Sequence, residues 1–148
     1  MKAFLLTLEE RTLGFTHGFI IDHTDLTETT ADTAQAIDLM AVGKGQAVTR
    51  AGYVMTENFE DASDADFDDV ELTLGDNSAA TAIMTAQQIN DNGTQIEAAL
   101  NTGTKAYAAA ATLRATFGSM TAKKLSDLDK GEIKIFLQVT DMAALGGA

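Results

Sequence analysis

Glu132-Ile133-Lys134-Ile135-Phe136-Leu137-Gln138-Val139-Thr140 is the stretch whose reading decides the fold class. Successive side chains of a strand point to opposite faces, so Ile133, Ile135, Leu137 and Val139 share one face and Lys134, Phe136 and Gln138 the other. Asp129-Lys130-Gly131 just upstream supplies a turn. This is a β-strand with one apolar face.

Similar runs recur on both sides. Ala47 to Thr56, entered through Gly43-Lys44-Gly45, reads as a strand in which Gly52 predicts a bulge or a close backbone approach. Asp69 to Leu74 alternates and ends at Gly75-Asp76-Asn77, a strong turn signal. Phe15 to Ile21 and Ala36 to Met40 are further strands, and Ala111 to Phe117 alternates around small residues until Gly118-Ser119. Ala79 to Ile89 is alanine-rich, with Ile83, Met84 and Ile89 near helical spacing, which predicts a short helix or a loop. Thr104 to Thr112 holds Ala106 and Ala108 to Ala111 and reads either as helical by propensity or as a packed strand.

About seven short strands separated by turns predict a mainly β protein, an antiparallel β-sandwich with one or two short helical segments. A jelly roll is one of the few topologies that close such a set, but nothing in the pattern selects the strand order. Proline is absent, and neither a linker nor a long repeat is visible, so residues 1–148 form a single domain. Within it, residues 1–12 read as an N-terminal arm and 142–148 as a flexible tail.

Ten basic against twenty-two acidic residues give a net charge of −12. Nucleic-acid binding depends on cations that neutralise phosphate, and anionic membranes need them too, so both partners are disfavoured. The charge either keeps the chain soluble or complements a basic protein surface. With no cysteine, disulfides and thiolate chemistry are excluded. The first residues do not read as a signal peptide, and no apolar run approaches the roughly 18 residues that span a bilayer.

Among chemistry-bearing residues, the acids between Glu57 and Asp69 stand out: Glu57, Glu60, Asp61, Asp64, Asp66, Asp68 and Asp69, with no cation among them. Asp64, Asp66 and Asp68 alternate as calcium-loop ligands do, but the glycine at the sixth and the glutamate at the twelfth loop position are missing. An EF-hand is excluded, a looser Ca²⁺ site stays open, and a solvated charge run is the default. No metal and no cofactor are assigned. His17 and His23 lie at the ends of the first long strand, roughly 20 Å apart when extended, too far to share an ion. Neither a phosphate loop nor a nucleophile elbow exists, and paired carboxylates for glycoside hydrolysis lack an aromatic sugar platform, with no Trp and two Tyr. The expectation is that the chain is not an enzyme and has no catalytic residues.

The stretch from Gly45 through Asn92 resembles small bacteriophage virion proteins of the capsid decoration or cement class. Carrying the resemblance are Val48 to Thr56 as the incoming strand, Asn58-Phe59-Glu60-Asp61-Ala62-Ser63-Asp64 as an acidic turn, and Leu72-Thr73-Leu74-Gly75-Asp76. Gln88-Ile89-Asn90-Asp91-Asn92-Gly93-Thr94 and the closing Gly131 to Leu137 complete it. The resemblance implies a β-sandwich on the outside of a virion capsid, made in the host cytoplasm, bound to the major capsid protein and associating as a homo-oligomer, a trimer or dimer. It brings no catalytic residues. A tail, neck or head-fibre component and a carbohydrate-binding adhesion module are the competing expectations. For the interaction surface, Asp61, Asp64, Asp66 and Asp68 are the candidates, together with the N-terminal segment.

Overall fold

The computed structural model describes residues 1–64, 70–89, 98–101, 105–118 and 121–146. In chain order its elements are β1 (Lys2–Phe4), α1 (Leu8–Thr12), β2 (His17–Asp22), β3 (Gln35–Val42), β4 (Gln46–Glu60) and β5 (Glu71–Asp76). There follow β6 (Met84–Gln88), β7 (Ala98–Asn101), β8 (Lys105–Ala106), β9 (Ala111–Gly118), β10 (Lys130–Asp141) and α2 (Met142–Gly146), with single 3₁₀ turns at His23–Asp25 and Leu125–Asp127. One sheet runs β1-β2-β10-β4-β7, with β8 also on β4; the other runs β3-β9-β5-β6. Every pairing is antiparallel.

This order is that of a jelly roll. The chain crosses from β2 in the first sheet to β3 in the second, back to β4, over to β5 and β6, back to β7, over to β9 and back to β10. Each crossing sets strands that are distant in sequence side by side, as in two nested Greek keys. β1 is added at the outer edge of β2.

The alternation read from the sequence is realised in β10: Ile133, Ile135 and Leu137 are fully buried and Val139 packs against them. They meet Phe19 and Ile21 of β2 and Tyr53 and Met55 of β4, and the opposing sheet supplies Leu72, Leu74, Leu113, Ala115 and Phe117. Phe59 of β4 and Phe117 of β9 stand with ring centroids 5.8 Å apart, joining the two layers.

β4 differs most from its sequence reading. It uses fifteen residues against twelve of β10 and extends through Asn58, Phe59 and Glu60, which the sequence placed in a turn. Three register shifts absorb the difference, between Lys130 and Glu132, Glu132 and Ile133, and Gln138 and Val139. The bulges therefore fall at Thr49, at Thr56 and at Asn58–Phe59, while Gly52 is matched and lies opposite Phe136, so the bulge alternative read at Gly52 is not realised. Gly131 sits opposite Asn58 and Phe59 at φ +133°, where an added Cβ would meet the Phe59 ring at 2.4 Å. Only glycine suits both that backbone and that contact.

Two further expectations change. Residues 79–83 form a turn, as the loop alternative had it, but Met84–Gln88 is a strand on β5 and no part of this stretch is helical. Lys105–Ala106 is a short strand on β4, as the strand alternative had it, followed by a bend at 108–109, so the helical alternative for the alanines there is not realised. In both places pairing with a neighbouring strand overrides local propensity. Of residues 1–12, Lys2–Phe4 pairs with β2 and Leu8–Thr12 is helical; of 142–148, Met142–Gly146 is helical. No helix among the described residues is long and apolar enough to cross a membrane.

Candidate functional site

Two regions of the first sheet hold the residues singled out by the sequence. At one end, Glu57 and Glu60 close β4 and Asp61 opens the turn that follows. The Asp61 carboxylate accepts the Ser63 hydroxyl at 2.6 Å and the Ser63 N–H at 2.8 Å, and these bonds hold its ionisation below the usual carboxylate range. The Asp64 N–H donates to the Asp61 carbonyl at 3.1 Å, so the two residues share one turn. Asp66 and Asp68 lie outside the described residues.

Cations reach this end from distant parts of the chain. Lys123 pairs with Asp64, and Lys130 pairs with Glu60 at 2.9 Å. Hydrogen bonding to Glu60, its charge, and the charges of Asp129 and Glu57 keep Lys130 protonated to higher pH than a free lysine. Glu57 accepts the Gly131 N–H at 3.2 Å, and Asp129 accepts the Ala62 N–H at 3.1 Å. Among the described residues no group of three or more His, Asp or Glu is placed to hold a metal ion.

The histidines are not brought together. His17 begins β2 and His23 lies beyond its end, in the 3₁₀ turn. Partial burial lowers the pKa of His17, whose Nδ1 is 2.8 Å from the Thr16 hydroxyl. Asp22 caps the 3₁₀ turn through the Thr24 N–H at 2.9 Å, and the Thr24 hydroxyl, its largest influence, holds it below the usual range.

Asp76 is the buried charged residue of the described chain, 4% exposed at the β5–β6 turn. Burial pushes its carboxyl up, but the Ser78 hydroxyl at 2.6 Å, the Ser78 N–H at 2.8 Å and the Ala79 N–H at 3.0 Å outweigh it and hold the pKa low. The buried Tyr107 hydroxyl faces Asp76: burial first, then the Asp76 charge and hydrogen bonding to its carboxylate, push the phenol's ionisation up. A shallow crevice of about 320 Å³ lies over this turn. Its polar groups serve the turn itself.

The second region is the outer face of the first sheet, where the N-terminal segment lies. Phe136 points outward from β10 between Gly18 of β2 and Gly52 of β4. The rings of Phe4 and Phe15 close on it at 5.7 and 5.4 Å. A Cβ on Gly18 would stand 2.5 Å from the Phe4 ring and 2.9 Å from Leu6, so the missing side chain is what admits both. Thr16 fastens the segment: its N–H donates to the Leu137 carbonyl at 2.9 Å and its hydroxyl accepts the Val139 N–H at 2.9 Å. Arg50 donates to the Leu13 carbonyl, with its guanidinium 5.7 Å from the Phe15 ring centroid.

Above this anchorage the segment turns apolar side chains to solvent. α1 buries none of its residues and is held by a capping box, the Thr7 hydroxyl accepting the Glu10 N–H while the Glu10 carboxylate accepts the Thr7 N–H at 2.6 Å. Leu5 is 96% exposed, Leu8 75% and Leu13 53%; with Met1, they are four of the five large apolar side chains exposed among the described residues. Burying a leucine is worth about 1.5–3 kcal/mol, and here that gain is left unused. Beside Leu5 runs an open groove of about 470 Å³ lined by Phe4, Leu5, Leu6, Arg11, Phe15 and Thr16. Thr7-x-x-Glu10 between Leu5-Leu6 and Leu13 was the signal in the sequence that could have marked this helix and its bare apolar flank.

No family model matches the chain, and no curated protein matches it. Among solved structures it is similar to a chain of the acidic stable capsid structure of Helicobacter pylori bacteriophage KHP30, at a TM-score of 0.45 and 9% identity, covering 85% of this chain and 93% of that one. A likeness at that level carries no argument about function.

Proposed function

We propose that this chain is a non-catalytic structural protein of a bacteriophage virion, a capsid decoration or cement protein seated on the outside of the major capsid lattice. The observation that carries the reading is the exposure of Leu5, Leu8 and Leu13 on the N-terminal segment of a sandwich that encloses most large apolar side chains of its described residues. A patch of that kind on a soluble domain marks a surface for another protein. A many-copy shell protein needs a sturdy body and one adhesive face, and weak contacts gain strength when repeated on a symmetric lattice. The sequence resemblance supports the same reading: its carrying residues build β4, β5 and β10, the central strands of the jelly roll.

The test is co-sedimentation of the purified chain with capsid shells assembled without it, followed by a copy count. Saturable binding at hundreds of copies per shell is expected. A handful of copies would favour a tail, neck or vertex component, and absence of binding would end the shell reading.

A further inference from the structure

We infer that Thr16 and His17 form an acid-sensitive catch, which holds the N-terminal segment on the first sheet while the imidazole is neutral and loosens it when the imidazole takes a proton. This device is independent of the shell-protein role proposed above.

The catch is one hydroxyl shared among three partners. β2 pairs with β10 only as far as His17 opposite Leu137, and beyond that rung the Thr16 side chain takes over from the backbone. Its hydroxyl accepts the Val139 N–H at 2.9 Å and lies 2.8 Å from Nδ1 of His17 and 3.2 Å from the Leu137 carbonyl. That carbonyl already accepts the Thr16 N–H at 2.9 Å. A hydroxyl has one proton to give and two lone pairs to receive with. Beside a neutral imidazole with a bare Nδ1, the proton goes to the nearer acceptor, His17, and every group is satisfied.

Protonation reverses this arrangement. Both ring nitrogens of an imidazolium donate, so Nδ1–H must take the second lone pair of the hydroxyl. The Thr16 proton is then left with the Leu137 carbonyl, at the longer distance and in competition with the Thr16 N–H. The charge itself is disfavoured, because His17 is partly buried and that burial lowers its pKa. Lys2 of β1, Glu9, Glu10 and Arg11 of α1, Arg50 of β4 and Lys134 of β10 are charged groups of the surrounding elements, and none of them offsets the burial. The fastened state therefore has the lower pKa. The catch holds fully above the ordinary imidazole value of about 6.5 and weakens as pH falls through the depressed one.

What the catch controls is the cover over Phe136. α1 buries none of its residues, so the segment depends on its two ends. At one, β1 pairs with β2 through three residues and the Met1 ammonium meets Asp25; at the other, Thr16 bonds β10. Thr16 adjoins Phe15, so loosening it withdraws the Phe15 ring from that of Phe136, which is 7% exposed in the fastened state.

The experiment follows amide exchange from about pH 7 to about pH 5, corrected for the intrinsic pH dependence of exchange, in the unmodified chain, His17→Gln and Thr16→Val. In the unmodified chain, protection across residues 2–16 should fall roughly two- to fivefold relative to β9. The midpoint should match the NMR titration of His17 and lie below about 6.5. His17→Gln, whose amide can still meet the Thr16 hydroxyl, should keep its protection across the range. Thr16→Val should be less protected at neutral pH and lose the pH dependence. An equal fall in His17→Gln assigns the acid response to carboxylates such as Asp25 or Glu10 and overturns the inference. Constant protection in the unmodified chain, or a midpoint displaced from the His17 titration, overturns it as well. If Thr16→Val does not fold, the comparison with His17→Gln decides alone.

Discussion

The acidic end and the N-terminal face of the first sheet, both candidates from the sequence, differ in how far the fold itself engages their side chains. At the acidic end, the described acids that draw the eye in the sequence are engaged within the chain: Asp64 by Lys123, Glu60 by Lys130, Glu57 by the Gly131 N–H and Asp61 by Ser63. At the N-terminal face, an unremarkable stretch of sequence leaves leucines bare and cations without acids. A run of one charge attracts its counter-ions during folding, whereas an apolar side chain on a short edge segment has only the surface beneath it to cover it. Partners are to be sought where the fold has left groups unpaired.

The anchorage under the N-terminal face gives the sharpest test of this contrast. Phe136→Ala should cost about 3–5 kcal/mol, as large aromatic deletions do, because the ring is 7% exposed and holds both Phe4 and Phe15. Thermal melting reads the loss, and amide exchange in residues 1–16 should accelerate. Unchanged exchange there would mean that β1 pairing alone secures the segment.

A smaller effect is expected at Gly131, where the acidic end meets the core. Gly131→Ala should destabilise by on the order of 3 kcal/mol, since the backbone stands at φ +133° and the new Cβ would meet the Phe59 ring. Denaturant unfolding measures it. A neutral result would show that β4 can shift its bulge, and that the acidic end is less rigidly tied to the core than its hydrogen bonds indicate.

The smallest effect belongs to the acidic end's own ion pairs. Lys130→Gln should destabilise far less than Gly131→Ala, and less still in high salt, because Lys130 and Glu60 are nearly half exposed and solvent screens the pair. A loss larger than that of Gly131→Ala would mean that neutralisation of the acids, not packing, holds this end together.

Much of the sandwich was legible. Residues 132–140, 111–117 and 71–74 alternate cleanly and lie in β10, β9 and β5. β4 was legible in part, because its three unmatched residues shift the phase of alternation and carry Phe59 to the interior from a stretch that reads as an acidic turn. β6 escaped because Met84-Thr85-Ala86-Gln87-Gln88 has little β propensity and exists by pairing with β5. Of the candidate interaction residues, Asp61 and Asp64 share a turn legible in the sequence, and Asp61 bonds Ser63 within it, but the cation that meets Asp64 is Lys123, 59 residues away.

What the sequence determined by itself was local: which stretches alternate, where turns break them, and how much negative charge the chain carries. Alternation depends on residues two apart, so it survives whatever the strands later pair with. The tertiary structure decided the jelly-roll order, the bulges of β4, which acids find cations, and which leucines find no cover. Each of these depends on surfaces that meet only after the chain has crossed between sheets, as when Thr16 bonds Leu137, 121 residues away.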